Sequence, residues 1–372
     1  MDLIKQLNMT YPIKSIERFS KIIIYGAGNT GKEVLRVLKK SSRFEIISFI
    51  DLRVSKGFSI NGFPVLHPEE NSISDSIKKE CLVVIAVFNR DIDLSPIVTL
   101  LKRQGFIHII SFVQFHYFYV NELGNKYWLG DISIYKDFKN QIEEVDSLLA
   151  DDESKVIFES ILKYRFTGNH KFLTKPEGLD TQYFSKTIPH PKDALRFIDG
   201  GAYDGDTLLA MLKLGVRCEA VASFEPDLIN FKKLVDFNSE NRGKVADENS
   251  MFPCAVWSKT EYLKFNSNST EASNVSAEGT NIILGVAIDN VMPDFRPNFI
   301  KMDIEGAEIE GLLGARETIK EFRPRLGICL YHTPEHLWEI PLLIKSWGIG
   351  YKFKMRSHGN NGFDLVLYAI SS

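Results

Sequence analysis

The stretch RFIDGGAYDGDT, from Arg196 to Thr207, predicts the fold of the second half of the chain. The apolar run at 195–198 indicates a buried strand that ends at Asp199, and the apolar segment after Gly205 indicates a helix. Two glycines at 200–201 permit a tight turn and a close approach of the backbone to a bound molecule, and the next helix offers free N–H groups at its start. A single glycine-rich turn is a weak signal, so an ordinary strand–turn–helix with an acidic turn is the alternative interpretation.

Further polar residues follow the later predicted strands of this half. In an open α/β sheet, ligands bind beyond the carboxyl ends of the parallel strands. Glu225 ends the second predicted strand, where an acid commonly accepts hydrogen bonds from ribose hydroxyls. One edge of the predicted sheet therefore gathers Asp199, Glu225, Asp303, His332, Arg356 and His358.

The first part of the chain shows a similar pattern. The stretch KIIIYGAGNTGKEVLRVL indicates a buried strand, a turn with Gly26, Gly28 and Gly31, and an amphipathic helix. A second predicted strand ends at Asp51, and CLVVIAVF and HIISFVQF indicate two more. Strands that alternate with helices predict a parallel sheet, so residues 1–115 are expected to form a small Rossmann-like domain.

Residues 116–190 are expected to connect the two domains. Their first part predicts one or two amphipathic helices, and their second part is rich in aromatic, histidine and proline residues. Long loops are commonly lids or binding loops, so Tyr183 is a candidate for contact with a substrate. A packed interdomain strap is the alternative. Residues 191–372 are expected to form the second domain.

The composition excludes several classes of protein. The chain is 44% hydrophobic and 25% charged, as in soluble globular proteins, and its net charge of −3 provides no basic field for nucleic acid. No apolar stretch is long enough to cross a bilayer, and the first ten residues lack the apolar region of a signal peptide. The four cysteines are far apart and adjoin apolar runs, which favours buried thiols in a reducing compartment. We therefore expect a cytoplasmic protein.

The second half resembles the FkbM-type S-adenosylmethionine-dependent methyltransferases over roughly residues 195–370. The pieces that carry the resemblance, in order, are FIDGGAYDGDT, FEPD, CAVWS, PNFIKMDIEGAE, RLGICLYHTPEHLWEIP and YKFKMRSHGNNGFDLVLYAI. The resemblance implies a class I methyltransferase fold, with a mostly parallel seven-stranded sheet and an antiparallel last strand, and the methylation of a hydroxyl. The fold class predicted for the whole chain is α/β with two Rossmann-like domains.

The resemblance also implies a binding site for S-adenosylmethionine at the strand ends. Glu225 matches the acid that holds the adenosine ribose, and Asp303 and Glu305 match the acidic strand end beside the transferred methyl group. The backbone at 255–256 could lie against the flat base. The residues expected at the cofactor are Asp199, Gly200, Gly201, Tyr203, Asp204, Thr207, Glu225, Pro226, Ala255, Val256 and Asp303.

Methyl transfer to a hydroxyl also needs a group that takes the proton. His332 is one candidate because an imidazole titrates near neutral pH, and Asp303 or Glu305 could act in its place. These three residues could instead hold Mg²⁺ or Mn²⁺, which would lower the pKa of the hydroxyl, or they could simply form hydrogen bonds. Arg356 and His358 could bind an anionic group of the substrate, such as a phosphate, or only terminate a strand.

Two more acids, Glu308 and Glu310, fall in the first turn of the helix predicted after Asp303. Acids at this position suit the helix dipole. We therefore interpret them as structural and assign them no chemistry.

The front domain resembles the nucleotide-sugar-binding N-terminal domain of bacterial sugar acetyltransferases in IIIYGAGNTGKEVL, FIDLR and INGFPVL. Because both halves then indicate sugars, the expected acceptor is a sugar hydroxyl on a nucleotide sugar or a glycan precursor of a bacterial surface polysaccharide. One alternative is another small hydroxylated or phosphorylated metabolite. Others are an NAD-dependent oxidoreductase that uses Gly26, Gly28, Gly31 and Asp51, and a nucleotide-binding regulator with an inert second domain. A purely structural or oligomerising role of the front domain is a further alternative, and a homo-oligomer is left open.

Overall fold

The computed structural model describes residues 15–53, 57–70, 72–189, 194–266, 274–275 and 278–371. The chain forms two compact units, each made of several segments of the sequence. The first contains Met1–Lys139, Ile157–Lys175 and Gly359–Phe363, and the second contains Asn140–Val156, Pro176–His358 and Asp364–Ser372. The domain boundaries expected at residues 115 and 190 stay a prediction.

The first unit is built around a six-stranded sheet. Its strands are β1 (Lys21–Tyr25), β2 (Glu45–Ile50), β3 (Ser59–Ile60), β4 (Phe63–Leu66), β5 (Leu82–Ile85) and β6 (His108–Ser111). Its helices are α1 (Asn29–Leu38), α2 (Asp75–Glu80), α3 (Leu94–Arg103), α4 (Phe112–Phe118), α5 (Val120–Leu123) and α6 (Ile134–Asp137), with 3₁₀ turns at Ile16–Arg18 and His170–Phe172.

The strands of this sheet lie in the order β3-β4-β2-β1-β5-β6. All neighbours are parallel except β3 and β4, which form a short antiparallel pair. β5 is buried throughout, as is β1 after Lys21, because strands at the centre of a parallel sheet are covered on both faces. The chain order reverses between β1 and β5, which is where such a sheet binds ligands.

The second unit contains the remaining strands and most of the remaining helices. Its strands are β7 (Leu195–Gly200), β8 (Cys218–Phe224), β9 (Ala246–Phe252), β10 (Ala255–Val256), β11 (Glu261–Asn266), β12 (Asn274–Val275), β13 (Asn281–Val286), β14 (Phe299–Met302), β15 (Arg325–Cys329), β16 (Lys352–Ser357) and β17 (Leu365–Ile370). Its helices are α9 (Asp206–Leu214), α10 (Leu228–Glu240), α11 (Ile288–Val291), α12 (Glu308–Gly314), α13 (Arg316–Phe322) and α14 (His336–Ser346), with a 3₁₀ turn at Leu179–Thr181. Two further helices, α7 (Lys139–Leu148) and α8 (Asp152–Thr167), are divided between the units.

The main sheet of the second unit has seven strands in the order β16-β17-β15-β14-β7-β8-β9. The strands from β15 to β9 are parallel neighbours, whereas β17 runs antiparallel to both β15 and β16. β10 to β13 form a separate four-stranded sheet. The predicted fold class, with two Rossmann-like sheets and an antiparallel last strand in the second, is confirmed.

All four cysteines are buried, and none forms a disulfide. Among the helices that the structure describes, none is both long enough and apolar enough to cross a membrane.

Candidate functional site

Four neighbouring strands of the second unit end at one edge of its main sheet. β15, β14, β7 and β8 lie side by side in that order and are parallel. The carboxyl ends of parallel strands meet at the same edge. This edge carries four of the predicted site residues, namely Asp199, Glu225, Asp303 and His332.

Asp199 forms a buried ion pair that the sequence interpretation missed. Its Oδ1 lies 2.9 Å from Nζ of Lys301, on β14, and the two side chains are 0% and 2% exposed. Lys301 also donates a hydrogen bond to the backbone carbonyl of Gly201. Burial raises the pKa of Asp199 to about 6, and Lys301 opposes this rise. The lysine inside the apolar strand FIKM is the signal that could have revealed the pair, because a buried lysine needs an acidic partner.

The turn after β7 is packed tightly between the strand ends. Gly201 has a φ of +76°, and a Cβ atom built on it would lie 1.9 Å from the backbone oxygen of Asp303. Gly201 and Ala202 both donate their backbone N–H to the oxygen of Phe224, at 3.0 Å. Glycine is therefore required at position 201. The other predicted cofactor residues of this segment follow in the turn and at the start of α9, namely Tyr203, Asp204 and Thr207.

Glu225 is buried beside this turn and is fixed by two backbone groups. Its Oε2 accepts a hydrogen bond from the backbone N–H of Tyr203 at 2.9 Å, and its Oε1 accepts one from that of Asp227 at 2.8 Å. Burial raises the pKa of Glu225 to about 7, against the effect of these two N–H groups. Each carboxylate oxygen has two lone pairs, so both oxygens retain the capacity to accept a further hydrogen bond.

The residues predicted beside the base lie close to the same turn. Ala255 and Val256 form β10 and are buried. A Cβ atom built on Gly200 would lie 3.6 Å from Cγ2 of Val256, so Val256 packs against the start of the turn. Pro226 directly follows Glu225. Contact of these residues with a cofactor stays a prediction.

Asp303 is held by two tyrosines. Its Oδ2 accepts a hydrogen bond from the hydroxyl of Tyr183 at 3.0 Å, and its Oδ1 accepts one from that of Tyr331 at 3.1 Å. Burial raises the pKa of both phenols well above their usual value, so they remain hydrogen-bond donors. The side chain of Asp303 is 18% exposed. Its carboxylate is therefore oriented by the protein and still accessible.

Tyr183 was predicted to contact substrate, and it lies instead in the interior of the second unit with its hydroxyl on Asp303. Its backbone has a left-handed φ of +68°, which is unusual for a residue with a bulky side chain. Its N–H donates to the hydroxyl of Tyr368 at 3.1 Å, and its carbonyl accepts from Arg325 at 2.6 Å. These bonds hold Tyr183 in place, and contact with a substrate stays a prediction.

His358 supports the same arrangement. Its Nε2 lies 2.8 Å from the hydroxyl of Tyr368, and its Nδ1 lies 3.3 Å from the backbone oxygen of Gly178. Burial lowers the pKa of His358 to about 4, so the ring is neutral near pH 7. A neutral ring that is 1% exposed is poorly suited to bind an anion.

Arg356 is surrounded by acids of the second unit. Its guanidinium lies 2.9 Å from both Asp151 and Glu153, and 3.5 Å from Glu177. The side chain is 1% exposed. These carboxylates already neutralise the guanidinium, so the environment of Arg356 does not favour the predicted role in binding a substrate anion, which stays untested.

His332 lies between carboxylates on both sides of its ring. Its Nδ1 is 2.9 Å from Oε1 of Glu308, and its Nε2 is 3.4 Å from Oδ1 of Asp303 and 3.7 Å from Oε2 of Glu305. Burial favours the neutral ring, but Glu308, Glu305 and Asp303 outweigh it and raise the pKa of His332 to about 10. The ring is then an imidazolium near neutral pH, and its charge is balanced by these carboxylates.

The same cluster offers ligand atoms that could hold a metal ion. One ligand atom from each of Asp303, Glu308 and His332 lies within 4.8 Å of the others. The predicted set has Glu305 in place of Glu308, and the carboxylate oxygens of Asp303 and Glu305 lie 3.4 and 3.7 Å from Nε2 of His332. Metal binding by this predicted set stays a prediction. A cation there would displace the proton on Nε2.

The front unit contains a second acid held by a glycine turn. Oδ2 of Asp51 accepts a hydrogen bond from the backbone N–H of Ala27 at 2.7 Å, and Oδ1 accepts one from that of Arg53 at 2.9 Å. Gly26 has a φ of +107°, and a Cβ atom built on it would lie 2.8 Å from the backbone oxygen of Ala86. Binding of a nucleotide or a nucleotide sugar by this turn stays a prediction.

Comparison with known proteins follows the same division. Residues 199–353 match the family model of the methyltransferase FkbM domain. The second half of the chain carries an FkbM methyltransferase domain. Residues 21–92 match the family model of the PglD N-terminal domain. Both resemblances drawn from the sequence are confirmed, and the predicted class of enzyme, a methyltransferase, is supported.

The fold of the FkbM domain is also seen in a solved structure. The crystal structure of the methyltransferase FkbM from Methylobacillus flagellatus KT superposes with a TM-score of 0.74, and the match covers 94% of this chain and 90% of that chain. The two sequences are 21% identical, so the likeness concerns the fold. A search of curated proteins finds no significant match.

Proposed function

We propose that the FkbM domain is an S-adenosylmethionine-dependent O-methyltransferase whose acceptor is a sugar hydroxyl. The observation that carries the proposal is the arrangement of Glu225 and Asp303 at one sheet edge. Glu225 is fixed by the backbone N–H groups of Tyr203 and Asp227. Asp303, which follows β14, is fixed by the hydroxyls of Tyr183 and Tyr331. An acid oriented for a ribose and a second, accessible acid are what methyl transfer from a nucleoside sulfonium requires.

The cofactor would lie along the turn that follows β7. Glu225 would accept hydrogen bonds from the ribose hydroxyls, the backbone at 200–203 would approach the cofactor closely, and Val256 would pack on the base. The Asp199–Lys301 pair fixes this turn because Lys301 bonds to the carbonyl of Gly201. When bound, S-adenosylmethionine supplies an electrophilic methyl group for in-line displacement.

The acceptor hydroxyl would lie against Asp303 and Glu305. We assign acceptance of its proton to Asp303, with Glu305 as the neighbouring acid that helps to orient the hydroxyl. His332 is flanked by three carboxylates and is protonated, so it places a positive charge beside Asp303 and Glu305 rather than acting as a base. Positioning and proton removal are the contributions that a protein makes to this reaction.

A divalent cation at Asp303, Glu305 and His332 is the second mechanism that the cluster supports. These residues would hold Mg²⁺ or Mn²⁺, and the ion would lower the pKa of the acceptor hydroxyl. Loss of turnover on treatment with EDTA, restored by Mn²⁺ or Mg²⁺, would favour this mechanism. Turnover that persists in EDTA would favour Asp303 as the base.

The proposal that the acceptor is a sugar is based on the front unit. The match of residues 21–92 to the PglD N-terminal domain and the held position of Asp51 support a nucleotide-sugar site there. We therefore propose a nucleotide sugar, or a glycan precursor of a bacterial surface polysaccharide, as the substrate. Another hydroxylated or phosphorylated small molecule is the alternative acceptor, and NAD is the alternative ligand of the front unit.

Calorimetric titration of the full chain with S-adenosylhomocysteine tests the proposal. We expect micromolar binding, and a loss of about fiftyfold in Glu225→Ala because hydrogen bonds to a charged group are removed. Glu248→Ala is the matched control, since Glu248 is exposed on the edge strand β9. Methyl transfer from labelled S-adenosylmethionine to a panel of nucleotide sugars then identifies the acceptor.

The opposite result would overturn the assignment. If S-adenosylhomocysteine does not bind and NAD binds in a manner that depends on Asp51, the front unit is the working half of an oxidoreductase. If S-adenosylhomocysteine binds equally to Glu225→Ala, the cofactor lies elsewhere on the domain.

A further inference from the structure

Glu308 is a fully buried acid at the start of α12, in contact with the residues of the proposed reaction. Its position in the first turn of a helix suggested only a role with the helix dipole. The structure gives it a different set of contacts, because its side chain is 0% exposed and both of its carboxylate oxygens face imidazole or backbone donors.

The two oxygens of Glu308 join three segments of the domain. Oε1 accepts a hydrogen bond from the backbone N–H of Ile304 at 2.8 Å and lies 2.9 Å from Nδ1 of His332. Oε2 lies 3.2 Å from Nδ1 of His336, at the start of α14. One carboxylate therefore connects the loop after β14, the segment after β15 and the start of α14.

The bond to Ile304 fixes the loop that carries both acids of the site. Ile304 lies between Asp303 and Glu305, so the bond to its N–H anchors the backbone of both. This backbone is not in a relaxed conformation, since Glu305 has a φ of +54° and Gly306 a φ of +98°. A left-handed residue such as Glu305 persists only when its surroundings stabilise it.

The contact with His332 determines which ring nitrogen faces the acceptor. Because Nδ1 is directed to Glu308, Nε2 is left to face Asp303 and Glu305 at 3.4 and 3.7 Å. His336 contacts the second oxygen of Glu308 and keeps the carboxylate from rotating.

We propose that Glu308, supported by His336, is the positioning residue of the active site. It orients His332 through Nδ1 and holds the loop of Asp303 and Glu305 through Ile304. This inference rests on the proposed methyl transfer for its consequence, but its geometric part concerns only the protein. Supporting groups of this kind fix the side chains that touch the reacting atoms.

The imidazole N–H resonances of ¹⁵N-histidine-labelled protein test the geometric part. We expect a downfield N–H resonance from Nδ1 of His332, assigned by its absence in His332→Asn, because a hydrogen bond to a carboxylate is charge-assisted. Glu308→Ala should abolish this resonance. Glu308→Gln keeps an acceptor oxygen without the charge, so the resonance should persist at a position shifted upfield.

Glu310→Gln and Glu310→Ala are the matched controls, since Glu310 lies in the same turn of α12 and is only half-buried. Both should leave the resonance of His332 unchanged. If Glu308→Ala does not fold, as judged by its thermal transition, Glu308→Gln decides the matter. An unshifted His332 resonance in Glu308→Gln, or a retained one in folded Glu308→Ala, would overturn the proposal.

Turnover tests the consequence separately. With the acceptor found in the nucleotide-sugar panel, Glu308→Ala should lower kcat by about a hundredfold, the usual effect of a misplacement near 1 Å. The affinity for S-adenosylhomocysteine should stay within about threefold of the wild type, since Glu308 lies behind the acceptor side. Glu308→Gln should have a kcat about tenfold higher than that of Glu308→Ala, because its amide oxygen can still accept the hydrogen bond from the N–H of Ile304. If the wild type transfers no methyl group, the proposed function fails, and the resonance of His332 still decides the role of Glu308.

Discussion

The two units contain the same strand–turn–helix geometry but place different residues in it. Asp51 and Glu225 each follow the second strand of their sheet, and each accepts one N–H from the glycine turn and one from the residue two positions further on. Gly26 and Gly201 each have a positive φ. Each lies against a backbone carbonyl that follows the adjacent strand of its sheet, that of Ala86 after β5 or that of Asp303 after β14. The same turn geometry is thus present twice.

The difference between the units lies in the residues beside that geometry. In the front sheet Ile24 pairs with Val84, and the equivalent pair in the second sheet is Asp199 with Lys301. The N–H of Ala86 donates to the carbonyl of Tyr25 at the end of β1. The N–H of Asp303 donates in the same way to the carbonyl of Gly200 at the end of β7. The front unit therefore has apolar residues where the second has charged ones. The two units thus share the geometry of the glycine turn and differ in the charge of the residues beside it.

The largest effect is expected at Asp303, whose equivalent in the front unit is Ala86. Asp303→Asn should lower turnover by about a thousandfold, because the proton of the acceptor loses its base. The affinity for S-adenosylhomocysteine should change by less than about threefold, since Asn keeps the size of the side chain. The check is single-turnover methyl transfer, with Asp236→Asn on the exposed face of α10 as control. A wild-type rate in Asp303→Asn would remove the functional difference between the units.

The second prediction concerns variants in which residues of the second unit are replaced by those of the front unit. Lys301→Met should lower the free energy of unfolding by about 3 kcal/mol, because it leaves Asp199 buried without its partner. The double change Asp199→Ile with Lys301→Val copies the pair of the front sheet and should recover most of that loss. Urea denaturation measures both. A double variant as unstable as Lys301→Met would show that the two sheets are not interchangeable at this position.

A third, smaller effect separates the ligands of the two turns. Asp51→Ala should weaken the binding of a nucleotide sugar by about tenfold and leave the binding of S-adenosylhomocysteine unchanged. Glu225→Ala should weaken the binding of S-adenosylhomocysteine by about fiftyfold and leave the binding of the nucleotide sugar unchanged. Calorimetry with both ligands on both variants measures this. If both variants lose the same ligand, only one of the two turns binds a nucleotide.

The last expected effect is a dependence of cofactor affinity on pH. Burial raises the pKa of Glu225 to about 7, so its carboxylate becomes ionised between pH 6 and 8. The ionised form accepts hydrogen bonds more strongly, so affinity for S-adenosylhomocysteine should rise by about tenfold over this interval and stay flat in Glu225→Gln. Stability should change in the opposite direction. A folded pKa above the unfolded one stabilises the fold at low pH, and this stability is lost as the pH rises through about 7.

The sequence predicted the features that depend on local pattern and strand order. Asp199, Glu225 and Asp303 could be placed at one edge because the carboxyl ends of parallel strands meet there. Contacts across strands could not be read in this way. Lys301 looked like one polar residue in an apolar strand, and only the register of β14 with β7 shows its pairing with Asp199.

Residues that act through others were the hardest to predict. Tyr183 was predicted as a loop residue that contacts a substrate, and its contact with Asp303 could not be foreseen because it depends on a left-handed turn fixed by Tyr368 and Arg325. Glu308 was interpreted from its place in a helix, whereas its contacts are with His332 and His336 on other elements. Side chains that meet from distant segments leave no periodic signal in the sequence.

The buried pair of Asp199 and Lys301 also constrains how this domain can diverge. Replacement of either residue alone leaves one charge in the interior, so a lineage that loses one partner first passes through an unstable protein. The two positions should therefore covary among relatives, with acid and lysine present together or absent together. Relatives that have lost both residues should retain the fold, and the turn after β7 should no longer be constrained in them by cofactor binding.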